Sequence, residues 1–213
     1  MVQQATLSPP ETTALSDESG PLVLRLRPVF DLTDDQLAEI ANLNDPLRLE
    51  WTAEGALEIM APAYSRTGNR NIKLATRVTI WAEQDDTGET YDSSAGFRLP
   101  NGAVRAPDVA WVQHERLAAL TSEQRDKFLP LCPDFVLELR SSNDRLALLD
   151  AKMREYLANG ARLGWLIDPE SRTVRIYRPD TPVQTLTKPE SISGDPELPG
   201  FTLDLRPIWE PGF

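Results

Sequence analysis

Residues 133–141 read Pro-Asp-Phe-Val-Leu-Glu-Leu-Arg-Ser, an apolar run with Glu138 and Arg140 set two positions apart. Strand alternation over 134–140 puts Val136, Glu138 and Arg140 on one face and Phe135, Leu137 and Leu139 on the other. The strand is otherwise apolar, so Glu138 is expected at or near a buried surface. A carboxylate there is costly unless it is paired or binds a metal. Upstream, Val-Arg-Ala-Pro-Asp-Val-Ala-Trp-Val at 104–112 sets Asp108 in a second apolar strand rather than at a loop tip. Downstream, Ser141-Ser142-Asn143-Asp144 predicts the cap of a helix that runs to Asn159, with Gly160 at its C-terminal end. At about 100° per residue, positions 145, 149, 152 and 156 share one stripe, so Lys152 borders the face of Leu149 and Tyr156. The helix follows the Glu138 strand directly and must pack back on its sheet, which points Lys152 toward Glu138.

An aspartate, a glutamate and a lysine in apolar elements suit a metal-dependent phosphodiesterase. Two carboxylates and a carbonyl oxygen can bind Mg²⁺, which prefers hard oxygen ligands and keeps several waters. A neighbouring lysine can hold the charge of a phosphate transition state or position a water. Residue types alone equally describe an ion-paired trio that ties the helix to the sheet, since an isolated Pro-Asp or Glu-x-Arg is common.

The rest of the chain reads as scaffold. Residues 1–20, rich in Ser, Thr, Pro and Glu, predict a disordered tail. Residues 21–30 suggest an extended arm, and Thr33 caps a helix whose first turn holds Asp34 and Asp35. Residues 47–61 alternate as a β-hairpin containing Glu50. Gly68-Asn69-Arg70-Asn71 opens a helix of roughly 15 residues with a broad apolar side. Short strands are expected near 90–91 and 97–99, then surface helices over 113–128. A buried strand at 164–168 follows, with a hairpin partner at 173–177. A domain over 21–180 is therefore expected, with 181–213 as a C-terminal extension packing on it. The order predicts an α/β (α+β) fold: a mixed central sheet flanked by helices, with an N-terminal β-hairpin.

Composition narrows the function classes. Hydrophobic residues make up 40% of 213, and no apolar run approaches the roughly 20 residues of a membrane span. The N-terminus has no basic and apolar leader, and a single cysteine, Cys132, rules out an internal disulfide framework. These features favour the cytoplasm. A net charge of −11 opposes nucleic-acid binding through a broad basic surface. The lone histidine, His114, cannot build a His-rich zinc site. A two-carboxylate glycoside hydrolase would leave Lys152 unexplained, and the aromatic clustering of a sugar cleft is missing.

Four segments together resemble the Uma-two (Uma2) family of restriction-endonuclease-like proteins, within the PD-(D/E)xK nuclease superfamily. They are Ala-Pro-Asp-Val-Ala-Trp-Val at 106–112, Pro-Asp-Phe-Val-Leu-Glu-Leu-Arg-Ser at 133–141, Lys-Met-Arg-Glu-Tyr-Leu-Ala-Asn-Gly at 152–160 and Gly-Trp-Leu-Ile-Asp-Pro at 164–169. The resemblance spans roughly residues 30–180. It implies a Mg²⁺-dependent centre (Mn²⁺ as a substitute) that cleaves phosphodiester bonds of DNA, in a homodimer. Asp108 and Glu138 match the metal-binding acids. Arg140 stands where the superfamily's lysine is usual, and arginine is a poor general base; Lys152 resembles a migrated lysine. Glu50 resembles the family's early glutamate, a further metal contact. Asn69 falls where many relatives carry histidine. The rival reading is a catalytically inactive nuclease-fold module for binding or dimerisation, which the acidic charge supports.

Overall fold

The computed structural model describes residues 20–60 and 62–212, so the tail expected over 1–20 lies outside the described residues but for Gly20. The elements run β1 (Leu22–Arg25), α1 (Asp34–Leu43), β2 (Arg48–Trp51), β3 (Ala56–Met60), α2 (Ser65–Asp85), β4 (Gly88–Asp92), β5 (Phe97–Arg98), β6 (Val104–Arg105) and β7 (Val109–Gln113). They continue with α3 (His114–Ala118), α4 (Ser122–Arg125), β8 (Phe135–Leu139), α5 (Leu146–Ala158), β9 (Leu163–Asp168) and β10 (Thr173–Tyr177). The chain closes with β11 (Gln184–Thr187), β12 (Ser191–Ser193), β13 (Thr202–Asp204) and α6 (Arg206–Trp209).

The fold is mixed α and β. A six-stranded central sheet has the order β11-β10-β9-β8-β7-β4, and a second sheet the order β1-β3-β2-β6-β5. Only β8 and β9 pair in parallel in the central sheet, because α5 carries the chain across between them. Both strands are buried along their whole length, as their near-continuous apolar sequences require. Alternation along β8 divides the core. Phe135, Leu137 and Leu139 pack with Leu74, Val78 and Trp81 of α2, while Val136 packs on the other face with Met153 and Tyr156 of α5. Gly164 lets α5 come this close: a Cβ there would lie 2.4 Å from the Met153 Cε.

Three boundaries differ from the sequence reading. The strand expected over 104–112 is two strands in two sheets. β6 pairs with β2 of the hairpin sheet and β7 pairs with β8, so Ala106-Pro107-Asp108 crosses the seam between them. Pro107 has no N–H to offer a ladder, which suits it to that crossing. The helix expected to open at Gly68 begins at Ser65, and no side chain caps it. Gly68 lies inside this helix and costs about 1 kcal/mol relative to Ala, and a side chain there would meet only open space. The Ser141–Asp144 segment is a turn rather than a helix cap: the Ser141 N–H donates to Asp144 Oδ2 at 2.7 Å, and α5 begins only at Leu146.

Residues beyond 180 contribute heavily to the core. Ile192, Leu198, Phe201, Leu203, Leu205, Ile208 and Trp209 join the cluster between α2 and the central sheet. The Phe201 ring stacks on Trp165 (centroids 5.8 Å apart) and tilts against Trp81 (5.4 Å). Arg70 of α2 donates to the Ile208 carbonyl at 2.7 Å, so its side chain fastens α6 to α2. Phe201→Ala is expected to cost about 3–5 kcal/mol in urea denaturation, as for a large aromatic lost from a packed core. A loss below about 1 kcal/mol would show that this segment only drapes over the domain.

Candidate active site

The seam crossing places Asp108 where the two sheets meet. Its Oδ2 accepts the Leu139 N–H at 2.9 Å, a side-chain bond at the end of the β7–β8 ladder. Its Oδ1 accepts from Arg48 Nη1 and from Asn71 Nδ2, each at 3.3 Å. Glu138 enters from β8 on the α5 face, 4% exposed. Its Oε1 accepts from the Tyr156 hydroxyl at 3.0 Å and lies 2.9 Å from Lys152 Nζ. Among the described residues no donor reaches Oε2, and this oxygen is not among the sealed buried atoms, so it opens on the cleft that Glu138 lines. Glu50, from β2, accepts from Lys152 at 2.7 Å and from the Ala106 N–H at 3.1 Å on Oε1, and from Arg105 at 3.0 Å on Oε2. Asp108, Glu138, Glu50 and Lys152 all line one cleft of about 1030 Å³.

Charge in this cluster does not balance. Lys152 pairs with Glu50 and Glu138, Arg105 with Glu50, Glu58 and Glu155, and Arg48 with Asp108. Five carboxylates thus face three cations, which leaves two negative charges over when all are ionised. The imbalance falls on Glu138. Burial pushes its carboxyl up, the charges of Asp108 and Glu50 add to this, and Lys152 offsets only part, leaving it at about 7. Burial would also raise Glu50, but the Lys152 ammonium and the Arg105 guanidinium outweigh it and hold that carboxyl at about 2. Lys152 is itself buried, which disfavours its charge, yet Glu138 and Glu50 raise its pKa above the ordinary value. It therefore stands as a fixed ammonium and cannot serve as a base near neutral pH.

The structure brings Asp108, Glu138, Lys152 and Glu50 together and leaves two other candidates out. Arg140, on the same strand face as Glu138, turns away beyond the strand end. It donates to Asp168 Oδ2 at 2.8 Å and to the Asp144 carbonyl at 3.2 Å, which clamps the turn before α5. Asn69 lies one turn inside α2, not at its start, and does not line the cleft. His114 is half-exposed and pairs with Glu89, and Cys132 is buried. Sequence reasoning missed Asn71, Arg48, Arg105 and the hydroxyl of Tyr156. Asn71 carried a signal: with Leu74, Ala75, Val78 and Ala82 it continues the buried stripe of α2, a polar residue where the helix faces inward. Arg48 and Arg105 carried none, since alternating charges in short strands ordinarily face solvent.

The residues present fit a hard divalent cation. Among the described residues no three His, Cys, Asp or Glu side chains form a ready-made ligand cage. Mg²⁺ needs none, because it binds through one or two carboxylates and retains waters. Asp108 and the cleft-facing oxygen of Glu138 are such donors. Asn71 Oδ1 adds a buried oxygen that accepts no hydrogen bond among the described residues. Both oxygens of Glu50 are already held by cations, so it fits the role of anchoring Lys152 better than that of a ligand.

This architecture is of the nuclease type. It resembles the crystal structure of a "putative nuclease belonging to DUF820" from Anabaena variabilis ATCC 29413, with a TM-score of 0.69 at 14% identity over 84% of this chain and 98% of that one. At that identity the likeness is one of fold. The chain belongs to the Uma2 family, whose model, described as "putative restriction endonuclease", matches residues 34–206. The match runs past residue 180, through the β12–β13 segment that completes the core. No curated protein matches the chain. Among the described residues no helix is long and apolar enough to cross a membrane.

The raised Glu138 carboxyl gives the metal-free protein a signed pH dependence. The folded state keeps this proton where the unfolded chain, with its ordinary value of 4.5, has released it. Stability from this group is therefore full below 4.5 and is lost as pH rises through about 7. The loss is on the order of 3 kcal/mol between pH 4.5 and 8. Urea denaturation in chelator should show that slope in the wild type and a flatter one in Glu138→Gln. Equal slopes would contradict the assignment.

Proposed function

We propose that the protein is a Mg²⁺-dependent endonuclease that hydrolyses phosphodiester bonds of DNA, with Mn²⁺ able to substitute. The observation that carries this reading is the convergence of Asp108, Glu138 and the Lys152 ammonium in one cleft, within a cluster that holds five carboxylates to three cations. Asp108 and Glu138 would hold the ion, with Asn71 beside them. When bound, Mg²⁺ supplies a Lewis acid for a phosphoryl oxygen and makes water more acidic. Lys152, held as an ammonium by Glu50 and Glu138, stabilises the negative charge that builds on the phosphate in the transition state. Arg48, Arg145 and Arg154 also line the cleft and would contact phosphates there once a divalent ion offsets the surplus of carboxylates, although the molecule as a whole is acidic. Steering is thus local, and binding should weaken with salt by only a few phosphate contacts.

The homodimer belongs to the same proposal. β1 is the outer strand of the second sheet among the described residues and exposes Leu22, Val23 and Leu24 in succession, an apolar edge that a second copy would cover. A second reading, an inactive binding or dimerisation module, draws support from the Arg48–Asp108 ion pair, which already partly neutralises one proposed ligand, and from the net charge of −11.

Plasmid nicking separates the two readings. Mg²⁺-dependent nicking should fall about 100-fold or more in Glu138→Gln and Lys152→Gln, and stay within a few-fold of wild type in Arg140→Ala. Wild-type protein that nicks no better than Glu138→Gln in either Mg²⁺ or Mn²⁺ would leave the binding module as the reading.

A further inference from the structure

Tyr156 takes no step in the chemistry above, yet its hydroxyl reaches Glu138, which lines the cleft. It lies one turn beyond Lys152 on α5, so the two side chains share a stripe and reach the same place. Both meet the same oxygen, Glu138 Oε1: the hydroxyl donates at 3.0 Å and the ammonium stands 2.9 Å away. The ammonium also sits 5.8 Å from the centroid of the Tyr156 ring. The ring is fully buried in the apolar cluster with Val136, Met153 and Leu166, where a side-chain swing would collide. Its backbone carbonyl is fixed as well, by the Cys132 thiol at 3.4 Å and the Ala161 N–H at 3.0 Å.

A lone ammonium does not fix a carboxylate's orientation. Lys152 has three rotatable donors on a flexible stem and is shared with Glu50. With Lys152 alone, the Glu138 carboxylate could turn both oxygens toward the ammonium and withdraw from the cleft. The Tyr156 hydroxyl has one donor on a locked ring and removes that freedom. A planar carboxylate with Oε1 held between two donors from one helix has one orientation left for Oε2, and that is the cleft-facing one.

We propose that Tyr156 is a positioning residue: its hydroxyl, together with the Lys152 ammonium, pins one oxygen of Glu138 and so presents the other toward Asp108 and a divalent cation. This assignment rests on the proposed metal-dependent function, so its test needs a readout other than nicking. That readout is Mn²⁺ affinity by titration calorimetry on the intact protein without nucleic acid. Tyr156→Phe keeps the ring and loses only the hydroxyl. It should weaken Mn²⁺ binding by about 10- to 100-fold, as loss of a partner behind a ligand does. Tyr177→Phe is the control for simple loosening. It removes a hydroxyl that donates to Asp150 of the same helix at 2.7 Å. It should leave Mn²⁺ affinity unchanged. Binding by Tyr156→Phe equal to wild type, or an equal loss in Tyr177→Phe, overturns the assignment of Tyr156 alone. Absence of any Glu138-dependent Mn²⁺ binding by the wild type overturns the metal-dependent function and this assignment with it.

Discussion

The ammonium of Lys152, buried between Glu50 and Glu138, is the contact on which the site depends. It joins three elements: β2 of the hairpin sheet, β8 of the central sheet, and α5, which crosses over between β8 and β9. Removing one partner of such a group strands a buried charge, typically at about 3–5 kcal/mol, whereas an apolar replacement of the whole set is often neutral. Stability alone therefore does not explain why three charged residues occupy this seam. The proposed divalent ion would offset the surplus of negative charge in this cluster.

Arginines divide the remaining work. Arg105 gathers Glu50, Glu58 and Glu155 from three elements and holds the hairpin sheet against α5. With Glu50 compensated by two cations, its carboxyl stays ionised, while Glu138 shares one cation and is pushed up. Neighbouring carboxylates held at different pKa values are given different roles by their surroundings. Here Glu50 anchors the lysine, and Glu138 faces the cleft and exchanges its proton near neutral pH. On this account a proton and a metal ion compete for one oxygen.

The central strands were legible because their sequences leave few choices. Phe135–Leu139 and Leu163–Asp168 are apolar runs of strand length, and the segment between them is long enough only for one crossing helix. Helical spacing placed Lys152 and Tyr156 on one stripe and pointed the lysine at Glu138, where it lies. The seam at Pro107 was missed because Val104–Val112 is apolar enough to pass for one strand; Pro107, which cannot donate to a ladder, was the signal that the sheet changes there. Arg140 looked like a site residue from its position on the strand, but the turn after β8 carries it to Asp168. The C-terminal segment was legible in its last strand, where Phe201, Leu203 and Leu205 alternate with Thr202 and Asp204. Its share of the core was not, because Ile192 stands singly, and Ile208 and Trp209 as a pair, among polar residues and Pro.

The most direct measurement is anomalous diffraction from crystals grown with Mn²⁺. The account predicts one anomalous peak between Asp108 and the cleft-facing oxygen of Glu138, with Lys152 and Tyr156 still on the other oxygen. Saturating Mn²⁺ with no peak at Asp108 and Glu138, or a peak only elsewhere on the protein, would contradict it.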